Sequence, residues 1–194
     1  MSEQRQHLLA ARKNLTLQQR EQANHLIQHH IINSDIFKRS QHIACYWPLS
    51  HEVATAQIIE SILTQQKKCY LPVVQTNKKL NFVPYTADTQ LQANQHSILE
   101  PSSTENYLAE NLDLVIVPLV GFDQHAHRLG WGQGHYDRSF EFMQATPRPK
   151  GPYLLGLGYQ CQYSSDLVQN TWDVRLDAVV SEVGSYPTGI DQRI

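Results

Sequence analysis

Residues 112–140 read LDLVIVPLVGFDQHAHRLGWGQGHYDRSF. The opening run, Leu112–Val120, is almost unbroken in apolar character, which suits a central parallel strand covered on both faces. A polar turn follows. Arg128, three alternating glycines at Gly130, Gly132 and Gly134, and the cluster His135, Tyr136, Asp137, Arg138 then crowd together. In an open α/β sheet, ligands collect beyond the carboxyl ends of the strands, and this strand delivers the segment to such a place. Glycine lets backbone take unusual angles and approach a ligand closely. Successive free N–H groups form an anion nest, and a helix starting near His135 aims its positive end into it. The Arg128 guanidinium can donate paired hydrogen bonds to phosphate oxygens. Asp137 offers the oxygen that a hard cation such as Mg²⁺ prefers. The spacing matches neither the dinucleotide fingerprint nor the P-loop. A purely structural reading also stands: a tight glycine-rich connection in which Arg128 or Arg138 pairs with Asp137.

Outward from this segment the chain alternates strands and helices. IACYW at 43–47, ended by Pro48, reads as a buried strand. Thr55 or Ser50 starts a helix containing Ile58, Ile59, Ile62 and Leu63. CYLPVV at 69–74 is the next strand, so the three make a βαβ unit with a parallel pair. LNFVPY at 80–85 is a further strand, and Pro84 puts it at an edge or strand end. Residues 86–111 are polar and read as a long loop with a short helix around Glu105–Glu110. A helix spans His135–Met143. Pro152–Tyr159 and Asp177–Val183 supply two more strands, and the tail after Gly184, with Pro187 and Gly189, reads as irregular. At the start, residues 3–32 form a long helix broken at Thr16, which caps the second segment with Gln19 in a weak capping box. Arg5, Arg12 and Lys13 place positive charge there. No repeat or linker interrupts the chain, so residues 1–194 form one domain of α/β class.

The composition, 41% apolar and 18% charged, is globular rather than disordered. A formal net charge of -2 gives no sign of nucleic-acid binding, although ten histidines make that charge sensitive to pH near neutrality. His29 and His30 read as solvated. Cys45, Cys69 and Cys161 are odd in number and widely spaced, as free thiols in a reducing compartment are. Cys45 and Cys69 belong to the core, and Cys161 is the candidate for an exposed thiol. No apolar run is long enough to span a bilayer. MSEQRQHLLAARK lacks the apolar centre of a signal peptide, so a cytoplasmic location is the expectation.

Pro118–Phe140 resembles the signature of the 5-formyltetrahydrofolate cyclo-ligase family, also called 5,10-methenyltetrahydrofolate synthetase. That signature runs roughly P-x-x-A-F-D, a short turn, then R-L-G-x-G-x-G-x-Y-D-R, and Gly121 stands where it has alanine. ACYWPLSHEVAT at 44–55, KCYLPVV at 68–74, the LNF…LEP region at 80–101 and WDVRLDAVVSE at 172–182 extend the resemblance in family order over most of the chain. It implies a three-layer α/β/α fold with a mostly parallel central sheet, Rossmann-like in the NagB/RpiA/CoA-transferase manner. It implies conversion of 5-formyltetrahydrofolate, ATP and Mg²⁺ to 5,10-methenyltetrahydrofolate, ADP and phosphate. The γ-phosphoryl group would go to the formyl oxygen, N10 would attack the activated carbon, and no protein nucleophile is needed. The protein's part is positioning and charge neutralisation.

The resemblance also implies residue roles. Arg128 stabilises charge in phosphoryl transfer. Arg5, Arg128 and the segment Leu129, Gly130, Trp131, Gly132, Gln133, Gly134, His135 and Tyr136 bind ATP. Trp47 and Glu52 contact the folate, with Trp131, Gly132, Gln133, Gly134 and His135 where the two ligands meet. Asp137 and Asp173 hold Mg²⁺. Structural alternatives stand beside several of these. Arg5 can be a solvated helix charge, Asp173 a cap for the turn into Val174, Glu52 a helix-start carboxylate, and Trp131 and Tyr136 core packing. Glu100-Pro101 can shape a loop or touch ligand. Met1 stands where many members carry a lysine, Trp172 where many have histidine, and His135 where an aromatic residue is common; His135 reads as a contact, not an acid–base group. The expected partners are folate and ATP, with no nucleic acid and no membrane; a monomer is expected, with a dimer left open. A folate-binding protein without turnover and a general nucleotide-dependent phosphotransferase are the competing classes.

Overall fold

The computed structural model describes residues 2–94, 98–103 and 105–187. In chain order the elements are α1 (Glu3–Lys13), α2 (Leu17–Asn33), α3 (Asp35–Arg39), β1 (His42–Ala44), α4 (Ala56–Thr64), β2 (Lys68–Val74), β3 (Leu80–Tyr85), β4 (Leu91–Ala93) and β5 (Leu99–Pro101). Then follow β6 (Leu114–Pro118), β7 (Gly121–Phe122), β8 (Arg128–Leu129), α5 (His135–Ser139), β9 (Tyr153–Leu157), β10 (Ala178–Ser181) and β11 (Gly184–Tyr186). Among the described residues the main sheet has seven strands in the order β11-β10-β9-β6-β1-β2-β3. The inner five are mutually parallel. β11 and β3 close the two edges as antiparallel strands.

The apolar run that suggested a central strand is β6, in the middle of that order. Its side chains alternate between two cores. Leu114 and Ile116 join α2, α3 and α4 on one face through Ile27, Phe37 and Ile58. Val115 and Val117 join Phe122, Phe140, Met143 and Leu176 on the other. A strand buried on both faces needs apolar residues at every position, which is why no period-two alternation is visible in its sequence. The second face is covered by α5, short 3₁₀ turns and loops, so that outer layer is thin. At Gly156 in β9 this layer comes close: an added Cβ would lie 2.6 Å from Leu176 and 2.8 Å from Leu119.

The helix break at Thr16 is a full capping box: the Thr16 hydroxyl accepts from Gln19 N, and the Gln19 side chain accepts from Thr16 N. β1, α4 and β2 form the expected parallel βαβ unit. Thr55 does precede α4, but its hydroxyl donates to the Tyr46 carbonyl instead of capping the helix. Pro84 lies in the edge strand β3 as expected. Three expectations are corrected. The loop at 86–111 contains an antiparallel β4–β5 hairpin, and its helix is only a 3₁₀ turn at Ala109–Asn111. The helix at His135–Met143 stops at Ser139, whose hydroxyl turns back to the His135 carbonyl, and a 3₁₀ turn continues from Glu141. The tail after Gly184 begins with β11; Gly189 and Met1 lie outside the described residues. Cys45 and Cys69 are buried and Cys161 is half-buried. Burial raises the pKa of all three thiols, which argues against a reactive thiolate. His29 and His30 are exposed. No helix among the described residues is long and apolar enough to cross a membrane.

Candidate active site

At the carboxyl end of β6 the chain turns through Leu119 and Val120 into the β7–β8 hairpin. The polar stretch at 123–127 is the hairpin's loop, and buried Asp123 organises it. Its Oδ1 accepts from His125 N at 2.8 Å and His127 N at 3.0 Å, and its Oδ2 meets His127 Nδ1 at 2.8 Å. This loop delivers Arg128 on β8. Nη2 of Arg128 donates to Asp137 Oδ1 at 2.5 Å, and the guanidinium carbon lies 5.3 Å from the centre of the Tyr136 ring. Its Nε–H is buried with no acceptor among the described residues.

The glycines follow. Gly130 O accepts from Arg5 Nε at 2.7 Å, so Arg5 is tied to the loop and is not a free helix charge. Gly132 has φ +89° and lies against the Arg5 guanidinium. Gly134, at φ +67°, is the N-cap of α5, and an added Cβ there would be 2.8 Å from Arg138 Nη1. Both glycines hold a left-handed backbone that side chains disfavour. Arg138 donates to the Gln133 carbonyl at 2.5 Å.

This loop forms one wall of a cavity of about 610 Å³. Arg5, Arg128 and Leu129 to Arg138 line it, and Val168, Asn170, Trp172 and Asp173 form the opposite rim. Asp137 Oδ1 also accepts from Val174 N at 3.1 Å, joining α5 to that rim. Asp173 Oδ2 accepts from Asn170 N and Nδ2 at 2.8 and 3.1 Å, closing a turn. Asp137 makes the pair foreseen with Arg128, whereas Asp173 closes the turn back to Asn170 and leaves the Val174 N–H to Asp137; among the described residues each carboxylate keeps a second oxygen without a hydrogen bond. Among the described residues no group of three ligating side chains exists. Mg²⁺ suits this arrangement, since it commonly takes one or two carboxylates, waters and substrate phosphates in place of a full protein cage.

A second cavity, about 150 Å³, adjoins the first and is more apolar. Trp47, Glu52, Leu71, Leu99 and Glu100 line it, and Pro118, Trp131, His135 and Tyr136 line both cavities. The turn at 46–55 positions Trp47 and Glu52: Tyr46 Oη donates to Val53 O at 2.8 Å, and Asn24 Oδ1 accepts from Ala54 N at 3.0 Å. Glu52 lies before α4, so it is no helix-start carboxylate. It accepts from Leu49 N at 2.9 Å and Trp131 Nε1 at 3.2 Å. Burial raises its pKa, and those two donors together with the Arg12 cation oppose the rise. Trp131 is 43% exposed and is not core. His135 Nδ1 donates to the Lys78 carbonyl at 2.9 Å. Glu100 shapes its loop, accepting from Asn94 Nδ2 at 2.9 Å, and also lines this cavity. Gly132, Gln133 and Gly134 line only the larger cavity.

The sequence-based residues thus gather into two adjoining groups. Arg12 was not among them. It is a buried cation 3.9 Å from Glu52 and 5.5 Å from the Trp131 ring centre. Its one signal was position, two helical turns after Arg5 and so on the same face of α1.

Residues 1–182 match the model of the 5-formyltetrahydrofolate cyclo-ligase family. The 5-formyltetrahydrofolate cyclo-ligase of Haemophilus influenzae is 38% identical over 169 residues, covering 85% of this chain and 88% of its own. The one from Escherichia coli K12 is 32% identical over 143 residues, 72% of this chain and 76% of that protein. The structure is similar to that of Aquifex aeolicus 5,10-methenyltetrahydrofolate synthetase, with a TM-score of 0.82 at 27% identity, over 99% of this chain and 94% of that one. With the signature on a glycine loop between two cavities and a family match over nearly its whole length, this chain belongs to the 5-formyltetrahydrofolate cyclo-ligase family.

Proposed function

We propose that the protein is an ATP-dependent ligase that cyclises 5-formyltetrahydrofolate to 5,10-methenyltetrahydrofolate, with ATP in the larger cavity and the pterin end of the folate in the smaller. The observation that carries this is the junction: a polar cavity and an apolar one share the wall of Pro118, Trp131, His135 and Tyr136. A γ-phosphoryl group at that wall meets a formyl oxygen without crossing solvent.

The chemistry needed is activation of a poor leaving group. The formyl oxygen takes the γ-phosphoryl group and ADP departs. N10 attacks the resulting iminium carbon, and phosphate leaves with the former formyl oxygen as N10 loses its proton. The chain's task is to orient and to neutralise. Arg128 suits the transferring group, because its Nε–H is a buried donor still without an acceptor and Asp137 holds the guanidinium in place. Arg5 and the backbone of Gly132–Gly134 grip the other phosphates. Asp137 and Asp173 would hold Mg²⁺ beside the ATP phosphates, where the ion would supply further charge neutralisation. Trp172 and Val168, 66% and 77% exposed, line only the larger cavity and offer the purine an apolar rim. Glu52, surrounded by donors, accepts a pterin N–H. Three free thiols suit a cytoplasmic location.

The test is incubation of the pure protein with 5-formyltetrahydrofolate, ATP and Mg²⁺, following the near-ultraviolet absorbance of the methenyl product and the release of ADP. Both should appear in equal amounts, and neither without the other substrate. Absence of both product and ADP would overturn the reading.

A further inference from the structure

Arg12 is a guanidinium buried to 3% exposure on a helix that is otherwise largely polar. Its hydrogen bonding is sparse. Nη1 donates to the Leu119 carbonyl at 3.3 Å, and Nε–H has no acceptor among the described residues. The approach to Glu52, 3.9 Å, is an ion pair too long for a hydrogen bond. Burying a charge on these terms costs stability, and a well-packed apolar residue would serve the fold as well or better. Its surroundings point to another role. The guanidinium sits beside the Glu52 carboxylate and against the face of Trp131, two residues at the meeting of the cavities.

We propose that Arg12 is a positioning residue for the folate, supplying the counter-charge for Glu52 and the surface on which Trp131 rests. The proposal rests on the reading that the smaller cavity takes the folate. The donors around Glu52 favour its carboxylate form. Its neighbours Leu49 N–H and Trp131 Nε1–H are both donors, and Arg12 is a cation, so a protonated carboxyl would find no acceptor among them. The other titratable groups near it are Tyr46 beyond β1, Tyr136 on α5 and Tyr159, whose hydroxyl donates to the Glu52 carbonyl at 3.2 Å, all neutral and all pushed to higher pKa by burial; His51, the residue before it, has its pKa lowered by desolvation and by the Arg20, Arg12 and Lys13 cations. Among the described residues Arg12 is the cation that acts on Glu52, opposing the burial that favours the neutral acid. The same helix carries Arg5 to the Gly130 carbonyl, so α1 grips the adjacent residues Gly130 and Trp131 from two turns of one face. The phosphate loop and the pterin contact are thus held by one rigid element.

The experiment measures kcat and KM for 5-formyltetrahydrofolate and for ATP across pH in the wild type, Arg12→Met and Arg12→Lys. The Arg12 cation opposes the burial that favours the neutral acid, so the acid limb of kcat/KM for folate should move up in Arg12→Met, while KM for ATP changes little. At neutral pH the folate KM should rise about tenfold or more and recover as the pH is raised. Arg12→Lys keeps the charge and should restore the limb. Glu52→Gln should remove the pH effect of Arg12→Met, which a merely structural arginine would not produce. An unmoved acid limb in folded Arg12→Met, or an equal shift in the Glu52→Gln background, overturns the proposal. Should Arg12→Met fail to fold, Arg12→Lys decides alone, because a limb that moves despite the retained cation refutes the counter-charge. A wild type with no turnover refutes the functional reading instead; an active wild type with an unmoved limb refutes only this inference.

Discussion

Replacing Arg128 by alanine separates the chemistry of the site from its folding. The Arg128 side chain is 7% exposed and its pair with Asp137 closes at 2.5 Å. Deleting one member of a fully buried pair costs about 3–5 kcal/mol. Asp137 retains the Val174 N–H and is 19% exposed, so the loss here should fall lower, about 2–3 kcal/mol. For a chain of this length that lowers Tm by roughly 5–10 °C. A protein with a typical stability of roughly 5–15 kcal/mol remains almost wholly folded at 25 °C after such a loss. The kinetic effect is of another size. Removing a donor aimed at transition-state charge costs about 100- to 1,000-fold in kcat, or ~2.7–4 kcal/mol. The assay is steady-state turnover at saturating ATP and folate beside a thermal melt of the same sample. Arg128→Lys, with its charge but not its planar fork, should fall between. A folded Arg128→Ala that retains kcat within about threefold of wild type would refute the phosphoryl role, because losing that donor should cost far more.

Three further outcomes are expected. Asp137→Asn keeps an acceptor for Val174 N but loses a negative oxygen, so the Mg²⁺ concentration giving half-maximal activity should rise about tenfold or more; an unchanged metal titration removes Asp137 from the ion. Gly121→Ala should destabilise by about 1 kcal/mol, because its Cβ would lie 2.5 Å from the terminal methyl Cδ1 of Leu8, which must turn aside in the cluster that seats α1. Leu8→Ala should relieve that clash, and a single variant melting like wild type would show that α1 yields freely. Acid should weaken folate binding before it weakens the fold. The Glu52 carboxyl has a folded pKa raised above its ordinary 4.5 by burial. Its contribution to stability is therefore complete below the unfolded value and is lost as pH rises through the folded one. Folate binding has the opposite sign, so its KM should climb about tenfold per pH unit below the raised value; a KM that stays flat down to the pH of unfolding contradicts the role of Glu52.

The parts of the fold that were legible in sequence are those where local pattern and burial agree. β6 announced itself because both its faces are covered. Thr16 and Gln19 carried a complete cap in four residues. The β4–β5 hairpin left no such mark, since Leu91–Ala93 and Leu99–Glu100 are half-buried or exposed and bury no continuous face. β11 is half-buried throughout and starts at a glycine of φ +145°, so it read as a tail. α5 ends before Phe140, whose backbone leaves the helical region at φ −113° and ψ 18°, an event no periodicity records. At the site, the loop from Arg128 to Asp137 was legible because its residues are neighbours in the chain. Arg12 was not, because its partners are remote: Leu119 is 107 positions away, and Glu52 and Trp131, which bond to each other, are 79 apart. An arginine on a polar helix looks solvated until the fold brings those residues around it.

The most direct question is where the formyl oxygen goes. A single turnover with 5-formyltetrahydrofolate carrying a heavy isotope in the formyl oxygen, with unlabelled ATP and water, answers it by mass spectrometry of the released phosphate. Phosphoryl transfer onto that oxygen at the junction of the two cavities predicts one labelled oxygen in each phosphate formed alongside methenyl product. Unlabelled phosphate, with the heavy oxygen released to water, would contradict it.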